Sequence, residues 1–381
     1  MQIIKGKTNF DFIGKRKIAL FISSIINIAI LVGIAIFGFN LGVDFAGGTL
    51  VEVKFAGANV TAEQVREGAV KGGLKEPQVQ GIGASEESNF ILRMGGVTQL
   101  TEESEKAAEA AVRGLGEVTS LTKNLDTGII NVRYTAPVDP ATIKAAVIAS
   151  GTGVTDVTKL GENDYQVKAE GMAARVTQAL KTGMSDAKFE VRRTDYVGPQ
   201  VGKQLRNKGL MALIWAMLFI LIYVAFRFDL KFGPGALLAM LHDVIMVADY
   251  FLVTRREFNL TSIAVLLTII GYSINDTIVI YDRIREEMVK YKGKPLPEII
   301  NIAVNDTLAR TILTSGVTAL SLIGLLVFGV GEIFDFAAAM LLGIVVGTYS
   351  SVYIASPLVI WLDEREHERE GAGGGMKAKV A

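Results

Sequence analysis

Two kinds of hydrophobic pattern divide the chain. The first is the long apolar run: Ile18 to Phe39 contains no polar side chain except Ser23, Ser24 and Asn27. At about 1.5 Å per helical residue, such a run covers the roughly 30 Å hydrocarbon core of a bilayer. It is longer than a signal-peptide core and no small-residue cleavage site follows, so it predicts a retained anchor. Five similar runs follow a long polar interval, at 210–228, 233–254, 260–281, 311–330 and 333–361. Six crossings put both termini on one side. Lys5, Lys7, Lys15, Arg16 and Lys17 before the first span, and Arg283, Arg285, Lys290, Lys292, Lys294 and Arg310 after the fourth, mark that side as cytoplasmic, because cytoplasmic segments carry the excess of lysine and arginine. Arg255 and Arg256 sit on the other side and are outvoted. The expected layout is a cytoplasmic N-terminus (1–17), a periplasmic domain (40–208) after the first span, a cytoplasmic loop (282–310) and a cytoplasmic tail (362–381).

The second pattern occupies the polar interval, where short alternating segments of strand type interleave with amphipathic helical ones. A first unit, about 49–124, reads as strand Leu50–Phe55, helix from Thr61, strand Gln78–Ile82, strand Phe90–Met94, helix from Thr101 and a strand near Val118. A second, about 125–195, reads as strand Ile129–Tyr134, helix from Asp139, strand Val154–Leu160, strand Tyr165–Lys168, helix from Gly171 and strand Lys188–Arg192. Each has the βαββαβ order of the ferredoxin-like split motif. The fold class expected is therefore a polytopic α-helical membrane protein with six transmembrane helices and an α+β periplasmic domain of two tandem ferredoxin-like units. This domain holds no histidine or cysteine; it is either a mobile module that touches client chains or a spacer shaping contact with a partner.

Composition narrows the function. Half of the residues are hydrophobic, and 39 basic side chains balance 39 acidic ones, so no basic surplus points to nucleic acid. There is no cysteine, and His242 and His367 are the only histidines; disulfides, thiol catalysis and a structural zinc site are not expected, nor is any cofactor.

Charged groups inside spans are costly to insert and are functional candidates by default. Asp276 lies in GYSINDTIVIYDRIRE, from Gly271 to Glu286. Thr268, Tyr272 and Asp276 are spaced by four and share a helical face, flanked by Ser273 and Asn275. In the fifth span Thr307, Thr311, Thr314, Ser315, Thr318 and Ser321 recur at helical spacing around Arg310. Facing stripes of hydroxyls with one carboxylate and one guanidinium make a water-lined proton route or an ordinary packing surface. If a route, the carboxylate carries the proton, since arginine does not release its own. Asp243, beside His242 in the third span, is a second relay group or a hydrogen-bond partner between helices. Asp249 near the outer end reaches water, and Asp282, Arg283 and Arg285 are interfacial anchors.

GVDFAGGT (Gly42 to Thr49) follows the first span and YVGPQVG (Tyr196 to Gly202) precedes the second. Asp44, Gly47, Gly48, Gly198 and Gly202 in them read as junctions between domain and membrane, where glycine permits positive φ and close backbone approach. With LHDV at 241–244, GYSINDTIVIYDRIRE and TLARTILTS at 307–315, these segments resemble the SecD/SecF family of export proteins, a branch of the resistance-nodulation-division type of transporters. The resemblance implies an accessory subunit that pairs with SecD, associates with the SecYEG channel and uses the proton-motive force to help a translocating preprotein leave across the bilayer. It places the titrating aspartate on Asp276, its arginine partner on Arg310, and a further relay group on Asp243, with SecD supplying another aspartate. The usual exported domain of the smaller family members is a single βαββαβ unit, and two here are a departure. Among rivals, half of a drug or lipid exporter would need a substrate pocket and twelve spans. An intramembrane aspartyl protease would need Asp276 and Asp282 to share a proton from positions about 9 Å apart along one helix and on different faces. A passive scaffold would leave the buried carboxylate without a role.

Overall fold

The computed structural model describes residues 8–56, 60–74, 77–82, 88–94, 102–124, 128–169, 171–185 and 187–377. Lys5, Lys7 and the helix start expected at Thr101 lie outside them. The chain folds as two units, one built from residues 1–40 and 208–381 and the other from Leu41–Asn207.

In the first unit the long helices are α1 (Arg16–Phe37), α7 (Pro199–Arg227, entering from the other unit), α8 (Gly233–Thr254), α9 (Leu260–Lys290), α10 (Leu296–Phe328), α11 (Glu332–Ser350) and α12 (Ser356–Lys377). A π turn, Ser351–Ala355, joins the last two into one run. Among the described residues six helices, counting that run as one, are long and apolar enough to cross a membrane. α8, α9 and the α11–α12 run form the buried centre, whereas α1, α7 and α10 leave most of their apolar surface exposed. That is the distribution expected where lipid or another subunit, and not water, covers the outside.

The helices outrun the apolar stretches that announced them. The expected loop 282–310 shrinks to the turn at 291–295, because α9 continues to Lys290 and α10 starts at Leu296. Its charges are helix-compatible and satisfy one another: Arg283 bonds Glu286 and Glu287 at 2.7 Å along its own helix and Asp306 of α10 at 2.5 Å. α10, at 33 residues, is about 50 Å long, well beyond a bilayer core.

The second unit carries two four-stranded antiparallel sheets. After β1 (Asn40–Leu41) and the single turn α2 (Val43–Ala46), the first sheet joins β2 (Gly48–Phe55), β3 (Gln78–Ile82), β4 (Asn89–Met94) and β9 (Phe189–Val197) in the order β3-β4-β2-β9. The second joins β5 (Val118–Asn124), β6 (Ile129–Tyr134), β7 (Val154–Lys159) and β8 (Asp164–Ala169) in the order β5-β6-β8-β7. β10 (Glu257–Phe258) lies in the first unit, between α8 and α9. Alternation of buried with less buried positions along most of β2, β4, β6 and β8 shows that one face of each sheet is covered.

The covering helices are not the ones expected. α3 (Ala62–Lys71) and α6 (Met172–Gly183) cover the first sheet, where Val65, Ala69, Val176 and Leu180 pack on Val51, Val53 and Leu92. α4 (Glu102–Arg113) and α5 (Pro140–Ala149) cover the second, where Ala108, Val112, Ile143 and Val147 pack on Ile130, Val132 and Tyr165. The units are thus not the tandem blocks 49–124 and 125–195. Each block gives its last helix and strand, α4–β5 or α6–β9, to the other, so the second sheet and its helices are inserted within the first. Glycines specify the α3–α6 pairing: a Cβ on Gly183 would lie 1.8 Å from the Gly68 carbonyl oxygen, and one on Gly72 would lie 2.1 Å from that of Ala179.

Candidate functional site

The site is assembled by a seam between α9 and α11. Gly343 of α11 lies on Ile269, Gly347 on Ser273, Ser351 of the π turn on Thr277 at 2.8 Å, and the Ala355 carbonyl accepts from Tyr281 at 3.4 Å. Both series advance by four, so one stripe of each helix runs along the other. Small residues at these steps let the backbones approach, as in membrane helix pairs generally.

That approach surrounds Asp243 of α8. The carboxylate is fully buried. Its Oδ2 accepts from Ser273 Oγ of α9 at 2.5 Å and from Ser350 Oγ of α11 at 2.8 Å, while Oδ1 faces His242 Nδ1 at 2.9 Å. Hydrogen bonds of this kind make a carboxyl group tolerable in an apolar bundle. Asp276, one turn along α9 from Ser273, is 3 % exposed and is held differently. Thr348 of α11 hydrogen-bonds it and itself meets Ser315 of α10 at 3.2 Å, while Oδ2 of Asp276 has no partner among the described residues. Two carboxyl groups on adjacent helices are therefore buried together, one fully satisfied and one half-satisfied.

The other residues singled out by sequence are distributed as follows. Arg310 is exposed on α10, and no ion pair joins it to a carboxylate among the described residues. Tyr272 donates to Thr318 at 3.3 Å, a second bridge from α9 to α10. Thr311 is buried, whereas Thr268, Asn275 and Thr314 are exposed. The hydroxyls of Thr268, Thr314 and Thr318 donate to carbonyls of the preceding turn of their own helices, which spends them locally and does not line a continuous route. Thr348, Ser350 and Ser351 escaped the sequence reading. The signal available was GTYSS at 347–351, a polar cluster inside an apolar run and next to the π turn, a feature common at functional sites.

The two glycine motifs meet inside the second unit. Gly48 pairs with Val197 across β2 and β9. At Gly202 a Cβ would lie 3.1 Å from Gly47 N and Phe45 O and 3.3 Å from Asp44 O. Gly47 and Gly48 adopt φ of +75° and +135°, where a side chain is strained. Gly198 immediately follows β9 and precedes α7.

Comparison with known proteins bears on this arrangement directly. The profile of the SecD/SecF protein export membrane protein C-terminal region matches residues 176–365, and that of the SecD/SecF GG motif matches residues 32–58. The protein translocase subunit SecF of Magnetococcus marinus is 39% identical over 372 residues, 98% of each chain. The chain belongs to the SecF family. The family member of Koribacter versatilis is 36% identical over 390 residues, covering 96% of this chain and 94% of its own. Among solved structures, SecDF from Thermus thermophilus superposes with a TM-score of 0.62 at 28% identity, over 96% of this chain and 40% of that one. A SecDF structure in a super-membrane-facing form gives a TM-score of 0.54 at 27% identity, over 98% and 41%. The chain thus spans about two fifths of those SecDF chains, and both carboxyl groups and the α9–α11 seam lie in the region that the C-terminal family profile covers.

Proposed function

We propose that this chain is a proton-coupled subunit of the Sec export machinery of the bacterial inner membrane. It acts with SecD and the SecYEG channel to draw preproteins across the bilayer. Both termini are cytoplasmic and the second unit is periplasmic. The subunit makes and breaks no covalent bond; it converts proton passage into motion. Family membership supports the export role, and one observation carries the coupling: Asp243 and Asp276 are buried on adjacent helices, and an oxygen of Asp276 lacks a partner among the described residues. Asp276 is the carrier, Asp243 a second relay group, and Arg310 the basic partner of Asp276. Protonation at Asp276 neutralises the seam, α9 repacks against α10 and α11, and the second unit shifts with α1 and α7, the two helices that lead into and out of it. Each proton crossing the field supplies about 2.3 kcal/mol per 100 mV, enough to bias a ratchet.

The test is export into inner-membrane vesicles with SecD present, comparing Asp276→Asn, which keeps the shape and removes the titrating group. The proton-driven part of export is expected to disappear while the complex still assembles. Undiminished export would reduce Asp276 to a packing residue and the subunit to a scaffold.

A further inference from the structure

The segment that precedes α1 is tied to α10 by two asparagines. Asn305 accepts from the Phe10 N–H with its Oδ1 at 2.9 Å and donates to the Phe10 carbonyl with its Nδ2 at 2.9 Å. One turn nearer the start of α10, Asn301 accepts from the N–H groups of Phe12 and Ile13 at 3.0 and 3.3 Å and donates to the same Phe10 carbonyl at 3.1 Å. Thr8 adds a bond from its hydroxyl to the Asn305 carbonyl at 3.1 Å. Asn305 is 8 % exposed and Ile13 3 %, and hydrogen bonds shielded from water in this way are the stronger ones.

The helical turn Ile13–Lys15 runs directly into α1, and its N-cap, Phe12, makes no side-chain cap bond. The first N–H groups of a helix need partners, and asparagine is among the preferred suppliers; here it acts from a different helix. Both amides hold main-chain groups, so the grip falls on the backbone that continues into α1. The Phe12 ring lies edge-on to Tyr353 of the π turn at 6.3 Å, which seats the same segment on the α11–α12 run.

This clamp stands between the carboxyl site and the second unit. Asp306, next to Asn305, bonds Arg283 of α9 at 2.5 Å. Ser315, about 15 Å further along α10, meets Thr348, which hydrogen-bonds Asp276. α1 in turn is one unbroken helix, Arg16–Phe37, and Arg255 at the end of α8 donates to the Gly38 carbonyl beyond its far end at 2.9 Å. From there the chain enters the second unit at Leu41.

We propose that Asn301 and Asn305 are positioning residues that hold the start of α1 to α10, and that the clamp stays closed while α10 repacks. Movement at the Asp276 seam then passes through α10 to α1 and along it to the second unit. This rests on the proton-coupled reading above, which has α1 move but names no part that moves it.

The test measures export into SecD-containing vesicles with and without a proton gradient. Asn301→Ala/Asn305→Ala is expected to lose the proton-driven part by about tenfold, the scale on which a residue between two coupled sites alters their coupling, while gradient-independent export stays. The chain has no cysteine of its own, so Thr8→Cys and Ala309→Cys, the latter four residues after Asn305 on the same helix face, can be bridged by a short bismaleimide. Added to the double alanine variant, the bridge is expected to restore the proton-driven part, which a folding defect would not permit. In the chain that keeps both asparagines, the bridge is expected to leave export unchanged. An undiminished rate in the double alanine variant, with Asp276→Asn lacking the proton-driven part, would overturn this inference and leave the proton-coupled reading standing. A loss that the bridge does not mend would overturn it too, by making the asparagines structural only. So would a loss on bridging the chain that keeps both asparagines, because the clamp would then have to open in each cycle; that measurement also serves if the double alanine variant does not assemble. Proton-driven export that survives in Asp276→Asn would remove the reading and this inference together.

Discussion

Gly347→Ala probes the seam that builds the site. The added Cβ would lie 2.9 Å from Ser273 Cβ, 3.2 Å from its Oγ and 3.3 Å from its Cα. Ordinary carbon contacts are about 3.5–4.0 Å, so α9 and α11 must part by roughly 0.6–1 Å. The Cβ and Cα of Ser273 cannot rotate away. Overpacking of this kind costs about 1–3 kcal/mol. The same displacement stretches the bonds by which Ser273 and Ser350 reach Asp243 from opposite sides of the seam, now 2.5 and 2.8 Å. Losing one bond to a charged group adds about 1.5–3 kcal/mol. Gly347→Ala should therefore lower stability by about 2.5–6 kcal/mol, read as thermal or denaturant unfolding of the purified protein. Gly271→Ala in α9 is the control: nothing lies within 4 Å of its Cβ, and alanine gains up to about 1 kcal/mol of helix propensity. Combining Gly347→Ala with Ser273→Gly should recover the packing part but not the lost hydroxyl. A neutral Gly347→Ala, or a pair of variants that simply add, would refute the close seam.

Two further outcomes follow for the second unit. Gly202→Ala should destabilise it by about 1–3 kcal/mol, measured by unfolding, because the atoms it would meet in Asp44, Phe45 and Gly47 are backbone and cannot turn aside. Tyr134→Phe should cost about 1 kcal/mol, since the Tyr134 hydroxyl on β6 donates to the Val112 carbonyl of α4 at 2.9 Å, tying the exchanged helix to its sheet. Burial pushes the Tyr134 hydroxyl up to about 12 from an ordinary 10. Its contribution should be intact below pH 10 and fade as pH rises toward 12, so the wild type should lose stability in that window and Tyr134→Phe should lose less; parallel curves would count against it.

The site was half legible in the sequence. Asp243 and Asp276 stood out because a carboxyl group inside an apolar run has no cheap explanation, and GYSINDTIVIYDRIRE and TLARTILTS pointed to the family. Which hydroxyls meet those carboxyl groups was not legible. Thr268, Asn275 and Thr314 lie near the expected stripes but face outward, while Ser350 and Thr348 face inward from a sixth span that looked like plain apolar helix. Spacing by four identifies a stripe but not the neighbour it meets.

What the sequence by itself determined was local. Apolar runs about as long as a bilayer core or longer dictated six helices, alternation dictated eight strands of the second unit, and Thr61 with Gln64 dictated a helix start, where the capping box forms at 2.9 and 3.3 Å. Tertiary structure decided the partnerships. α4 and α6 exchange sheets because an amphipathic face states only that a helix is covered, while the glycines at 68, 72 and 183 allow one helix and not another to come close. The charged ends of α9 and α10 stayed helical, with Arg283 of one paired to Asp306 of the other. Asp243 became the better-held carboxylate because two glycines of α11 let a serine on each side reach it.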